Sequence, residues 1–254
     1  MSAVALERAT PTFADRVYEL LDRVDFRRAD SEEDREAIFR LRHRAYLAEG
    51  AIEPRPDGRF ADEFDELGNT WIFGVYLDGE LVSSIRVGVA TREYPTVASL
   101  APFREHLIPE LEAGKVIVDP TRHVVDRAMA GRYPHLVYMT MRLGWLGAEY
   151  FQADILLAAV RTEHQAFYRK VGGHRVVCGA RPYPGLTKPL SLMTLDFPAG
   201  RERVLQRYPL FRSTNFERRM LFERLQVPGA IQRVEDIRHD RPVVAEEERQ
   251  QLAG

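Results

Sequence analysis

Arg42 and Tyr46, four residues apart, are followed by the acidic run Asp62-Glu63-Phe64-Asp65 and then by Arg86. Such a set can bind the amine and carboxylate of an amino-acid-like molecule, because a guanidinium pairs with a carboxylate in a bidentate fork. The same residues would serve equally as an ion-pair network pinning a loop to a sheet, and their spacing leaves both readings open. In the strand Leu81 to Val87, alternation places Arg86 on the face of Val82 and Ser84. A charge in the middle of a covered strand needs partners, and Asp62 and Asp65 are the obvious ones. A second set is Asp119-Pro120-Thr121-Arg122-His123. Asp119 has the chemistry of a general base for an attacking amine, or of an Asp-Pro turn that starts a strand. His123 reads as an ordinary surface or core histidine. No second histidine or acid lies nearby at ligand spacing, so no metal site is expected.

The elements that must hold these residues follow from periodicity and punctuation. Phe13, Val17, Leu20, Leu21 and Val24 fall on one helical face. A short strand near Phe26 follows, and Ser31 with Asp34 opens a helix that Gly50 ends. Residues 51–69 are a loop. Asp78-Gly79 joins two strands, Trp71–Leu77 and Glu80–Val89, as a tight hairpin. Short helical pieces over 98–114 precede a strand from Val116 to Val125 and a helix from Tyr133 to Tyr150. A buried strand (Asp154–Val160), a helix ending at Gly172-Gly173 and two strands (His174–Cys178, Leu190–Asp196) close the series. Helical patches at Val204–Tyr208 and Phe216–Leu225 lie in the tail. This order predicts an α+β fold, a mixed central sheet flanked by helices with a helical C-terminal extension. The Gcn5-related N-acyltransferase fold fits it. The expected organisation is an N-terminal helix and arm (1–30), an acyltransferase domain (31–198) and the extension (199–254).

Composition narrows the class. The 254 residues carry 36 Lys and Arg against 38 Asp and Glu, a formal charge of −2, which gives no support for a nucleic-acid binder. Only three of the cations are lysine. The single cysteine, Cys178, excludes an internal disulfide and reads as a small buried apolar residue. The longest apolar run is six residues, Ile155–Val160, far short of the ~20 needed to span a bilayer, and the N-terminus lacks a signal-like apolar core. A soluble, cytoplasmic protein is expected.

The run Leu41-Arg42-His43-Arg44-Ala45-Tyr46, then Asp62-Glu63-Phe64-Asp65, Ser84-Ile85-Arg86, Asp119 and Arg122 resembles the acyl-homoserine-lactone (autoinducer) synthases and their relatives, the long-chain N-acyl amino acid synthases. Arg181-Pro182-Tyr183-Pro184 followed by Lys188-Pro189 looks more like the second group. The resemblance covers residues 36 to about 196. It implies the acyltransferase fold and an acyl-carrier protein or coenzyme A thioester as donor, with no permanently bound cofactor. It also implies that Arg42, Tyr46, Asp62, Asp65 and Arg86 shape the acceptor site. Asp119 takes the place of a glutamate proposed as base, and Arg122 matches the arginine after it. Tyr168 stands where acyltransferases of this fold often carry a tyrosine that protonates the departing thiolate. Arg122, His123, Arg127 and Arg132 on one side, with Arg161, Arg169 and Lys170 on the other, would rim the donor groove and suit an acidic carrier protein. Autoinducer synthases carry a tryptophan soon after the aromatic, in their S-adenosylmethionine-binding region. This chain reads Leu47-Ala48-Glu49-Gly50-Ala51 there, which favours a simpler amino-acid acceptor. The function implied is transfer of a long-chain fatty acyl group from a thioester to the α-amine of an amino acid. An autoinducer synthase using S-adenosylmethionine, and a non-catalytic module binding acyl-carrier protein or a lipid signal, are the alternatives.

Overall fold

The computed structural model describes residues 12–224; the expectations for 1–11 and for the tail beyond 224 lie outside them. Helix α1 (Phe13–Leu21) is closed by a Thr12/Asp15 capping box, and strand β1 (Val24–Arg28) follows. The Ser31 hydroxyl accepts from the Asp34 N–H at the start of α2 (Glu32–Ala48), and Gly50 leaves the helix at φ +59°. Asp78 (φ +51°) and Gly79 (φ +87°) turn β2 (Thr70–Leu77) back into β3 (Glu80–Ala90), the left-handed pair that a two-residue hairpin requires. Then come α3 (Arg104–Glu112), β4 (Ile117–Val125), α4 (Arg127–Arg132), α5 (Leu136–Tyr150), β5 (Ile155–Val160), α6 (Gln165–Val171), β6 (Arg175–Arg181), β7 (Leu190–Asp196), α7 (Phe197–Arg207) and α8 (Asn215–Phe222). The six-residue α4 was not expected from periodicity. The Asp126 side chain, which accepts from the N–H groups of Ala128 and Met129, starts it.

The seven strands form one sheet in the order β1-β2-β3-β4-β5-β7-β6. Helix α5 packs on one face over β2 to β5, and α2 packs on the other over β2 to β4. The α5 side holds the larger core, which takes Val17 and Leu20 from α1 and Phe197, Val204, Leu221 and Phe222 from α7 and α8. Residues on both sides of the expected boundaries at 30 and 198 therefore share a single hydrophobic cluster.

Three irregularities shape the site. Beyond Ile117–Ile155 and Val118–Leu156 the parallel strands β4 and β5 are no longer paired, and they splay apart. A bulge where β3 meets β4, between Ser84 and Arg86, coincides with Arg122 at φ +53°. That conformation is uncommon outside glycine and is kept only where surrounding contacts enforce it. A second bulge, opposite Val75 and Tyr76, shifts the alternation of β3. As a result Val82 joins Ile85, Val87 and Val89 in the α5-side core, while Arg86 points away from them towards Thr121 and Asp62. The expectation that Arg86 shares a face with Val82 fails because one inserted residue inverts every side chain beyond it.

Candidate active site

The loop before β2 forms a 3₁₀ turn, Glu63–Glu66. Its first N–H groups are capped by Asp62, while the Asp65 carboxylate reaches back to the Asp62 N–H at 3.0 Å. This reciprocal cap aims both carboxylates at the sheet. Asp65 Oδ1 accepts from Arg42 Nη1 at 2.8 Å and lies 3.1 Å from Arg86 Nη1. Asp62 pairs with Arg86 through Oδ1 and with Arg122 through Oδ2, the latter at 3.1 Å from Nε. Arg86 Nε also donates to Thr121 Oγ1 at 3.0 Å. Arg42, Asp65 and Arg86 are almost wholly buried. Burial pushes the Asp62 carboxyl up, but Arg86 and Arg122 beside it outweigh that and hold it below the usual carboxylate range. Three guanidiniums thus share two carboxylates. Arg42 Nε and Nη2 and Arg86 Nη2 have no hydrogen-bond partner among the described residues.

A cavity of about 650 Å³ opens where β4 and β5 splay, in the size range of small-molecule sites. Its walls include residues 120–125 of β4, Ala158–Arg161 of β5 and its end, and Ala45, Ala48 and Ala51 around the end of α2. Of the cluster just described, Arg122 reaches the cavity. It does so with its guanidinium held over the Phe60 ring at 4.6 Å and near Tyr46, which also lines the space. Arg42, Asp62, Asp65 and Arg86 do not line it. They form a layer behind Arg122, and Asp62 pairs with its guanidinium. The expected acceptor-site residues other than Tyr46 are therefore placed beside the cavity rather than on its wall, because the 3₁₀ turn folds down over the sheet.

Asp119 is also walled off. It is 1% exposed and does not line the cavity. Its Oδ2 accepts the Ser99 N–H at 3.0 Å and its Oδ1 the Ser99 hydroxyl at 2.7 Å. Burial pushes its carboxyl up, against the opposing pull of Ser99, Arg86 and Arg122. Asp119 thus lies behind the cavity wall, with Ser99 as its nearest hydrogen-bonding partner. Tyr168 does line the cavity, and burial pushes its phenol up to about 12. His123, read from sequence as unremarkable, lines both this cavity and a small apolar pocket behind it. Its Nε2 has no partner among the described residues, and burial pulls its pKa down to about 4, keeping it neutral. Of the expected donor-docking residues, Arg127 lines the cavity, whereas Arg132, Arg169 and Lys170 do not. Arg161, held by Glu49 at 2.7 Å, with His164 and Lys188, supplies the rest of the basic lining. Ser99 and Tyr183 carried no chemical signal of their own; Tyr183 was marked only by its flanking prolines.

A mixed sheet whose central parallel strands part beside a bulge, with a cavity in the gap, defines the N-acyltransferase fold of the Gcn5-related class, and the protein is an N-acyltransferase. The sequence profile of the family described as N-acyl amino acid synthase FeeM matches residues 37–196, and the chain belongs to that family. It is similar to the structure of FeeM, an N-acyl amino acid synthase from uncultured soil microbes: 18% identity over 75% of this chain and 99% of that one, TM-score 0.61. TofI, solved in a ternary complex with an inhibitor and MTA, is 13% identical over 75% and 100% of the two chains, TM-score 0.54. BjaI, a CoA-dependent acyl-homoserine lactone synthase solved with MTA, is 18% identical over 72% and 88%, TM-score 0.50. No curated protein matches it in sequence. Among the described residues no helix is long and apolar enough to cross a membrane.

Proposed function

We propose that the protein transfers a fatty acyl group from the thioester of an acyl-carrier protein or of coenzyme A to the α-amine of an amino acid. The observation that carries this reading is one cavity that joins apolar side chains to the Arg122 guanidinium, which Asp62 holds in place. Ala158, Val160, Val137 and Leu190 suit an acyl chain, and Arg122 suits the acceptor's carboxylate. The bulged turn of β4 lines the cavity, and backbone N–H groups there would be the donors for the oxyanion of the tetrahedral intermediate. Tyr168 lines the cavity with its phenol kept protonated by burial, so its hydroxyl is a donor available to the leaving sulfur. Ala48, Glu49 and Ala51 line the cavity in the stretch where the autoinducer synthases carry a tryptophan. This supports a plain amino acid over S-adenosylmethionine as acceptor.

Purified protein incubated with a long-chain acyl-CoA, or with acyl-carrier protein loaded with the same chain, and a panel of amino acids should yield an N-acyl amino acid by mass spectrometry. Product that requires S-adenosylmethionine would move the protein to the autoinducer reaction. Absence of any amide with every amine tried would leave a binding module.

A further inference from the structure

A base for the amine is needed; Glu49 lines the cavity but is paired with Arg161, and Asp119, buried at the position of the family's glutamate, does not line it. The gap is spanned by two hydroxyls. Ser99, in the loop between β3 and α3, clamps Asp119 with both its N–H and its Oγ. The same Oγ lies 3.4 Å from Tyr183 Oη, and Tyr183, in the loop after β6, lines the cavity. The direction of the chain is fixed by counting hydrogens. A serine hydroxyl has one proton, and at 2.7 Å from Asp119 Oδ1 that proton is committed to the carboxylate. The Tyr183 hydroxyl must then donate to Ser99 Oγ, which leaves the Tyr183 oxygen with acceptor capacity only. An amine or ammonium is the donor that matches it.

We propose that Tyr183 and Ser99 form a proton relay from the acceptor's amine to Asp119, so that Asp119 acts as a base without touching substrate. The proposal rests on the acyl-transfer reading above and deepens it. As the amine nitrogen forms its bond to the thioester carbon, the carbonyl π pair moves to oxygen and an N–H proton passes to Tyr183 Oη. The Tyr183 proton passes to Ser99 Oγ, and the Ser99 proton to Asp119 Oδ1. When the C–S bond breaks, the thiolate takes a proton from Tyr168. The proton on Asp119 then returns along the same three oxygens to the cavity, where water carries it back to Tyr168. The net reaction is thioester plus amine to amide plus thiol. The 3.4 Å contact is long, as catalytic hydrogen bonds often are before substrate tightens them. The groups facing the Asp119 carboxyl are Ser99, Arg86 from β3, Arg122 from β4 and Tyr183. The two arginines oppose burial, and burial raises the proton affinity that a base requires.

The test uses the full chain with dodecanoyl-CoA and whichever amino acid gives product. Tyr183→Phe and Asp119→Asn should each lower kcat tenfold or more with KM little changed. The double variant should be no slower than Asp119→Asn alone, because both break one chain. Wild-type kcat in Tyr183→Phe, or losses that multiply, would overturn the relay. A second measurement needs no turnover: carbon-13 NMR titration of the aspartate carboxyls, with Asp119 assigned from Asp119→Asn. Tyr183→Phe should raise the Asp119 midpoint, since Ser99 becomes a poorer donor to the carboxylate. An unchanged midpoint refutes the relay whatever the activity. A wild-type protein inactive with every amine refutes the acyl-transfer reading while the titration still decides the relay.

Discussion

Replacing Asp65 by asparagine tests how far the charged layer behind Arg122 holds that guanidinium in place. Asp65 and Arg42 are both completely shielded from solvent, and Asp65 serves Arg42 at 2.8 Å, Arg86 at 3.1 Å and the Asp62 N–H at 3.0 Å. An amide of the same shape has one acceptor oxygen where the carboxylate has two, so one of these contacts becomes donor against donor. Arg42 also loses its one carboxylate partner, whereas Arg86 keeps Asp62. Breaking a buried pair by removing one partner costs about 3–5 kcal/mol. At about 2–4 °C per kcal/mol for a chain of this size, the melting temperature should fall by about 6–20 °C. Adding Arg42→Met removes the orphaned charge, so the double variant should recover part of that loss. The assay is thermal unfolding followed by far-ultraviolet circular dichroism. KM for the acceptor is measured below the transition, where a loosened Asp62 should let Arg122 drift and raise it. A melting temperature within 2 °C of wild type, or a further fall on adding Arg42→Met, would refute the reasoning.

Three further outcomes are expected. Tyr168→Phe should lower kcat while leaving the melting temperature nearly unchanged, and an unaltered kcat would remove Tyr168 as the acid. His123 and His174 are both pulled down to about 4 by burial. The stability gained from keeping them neutral is full above the unfolded value near 6.5 and is lost as pH falls towards 4. His174 alone accounts for about 3 kcal/mol of that, so His174→Leu should flatten the decline in melting temperature over this window; an unchanged slope would contradict it. Arg132→Glu with Arg169→Glu, both exposed and outside the cavity lining, should raise KM for acyl-carrier protein several-fold, less so as salt rises, with little effect on a free pantetheine thioester. Equal losses for both donors would place these arginines in folding or pantetheine binding.

What the sequence determined by itself is local. Ser31 with Asp34, and Asp78-Gly79, set a helix start and a hairpin because their hydrogen bonds and backbone angles close within a few residues. The association of Asp62 and Asp65 with Arg42, Arg86 and Arg122 was also legible, since opposite charges on covered elements have few other partners. Only the tertiary structure decided which side of the wall each residue occupies. The bulge at Val82 inverted the face of Arg86, and the bulge at Arg122 turned one arginine of three into the cavity. Neither leaves a mark in the sequence, because a bulge is a mismatch between two strands rather than a property of one. Ser99 and Tyr183 lie 84 positions apart and meet only because β4 brings Asp119 between their loops. The cavity itself arises from two parallel strands that pair over two residues and then part, a relation between strands that neither strand's own residues record.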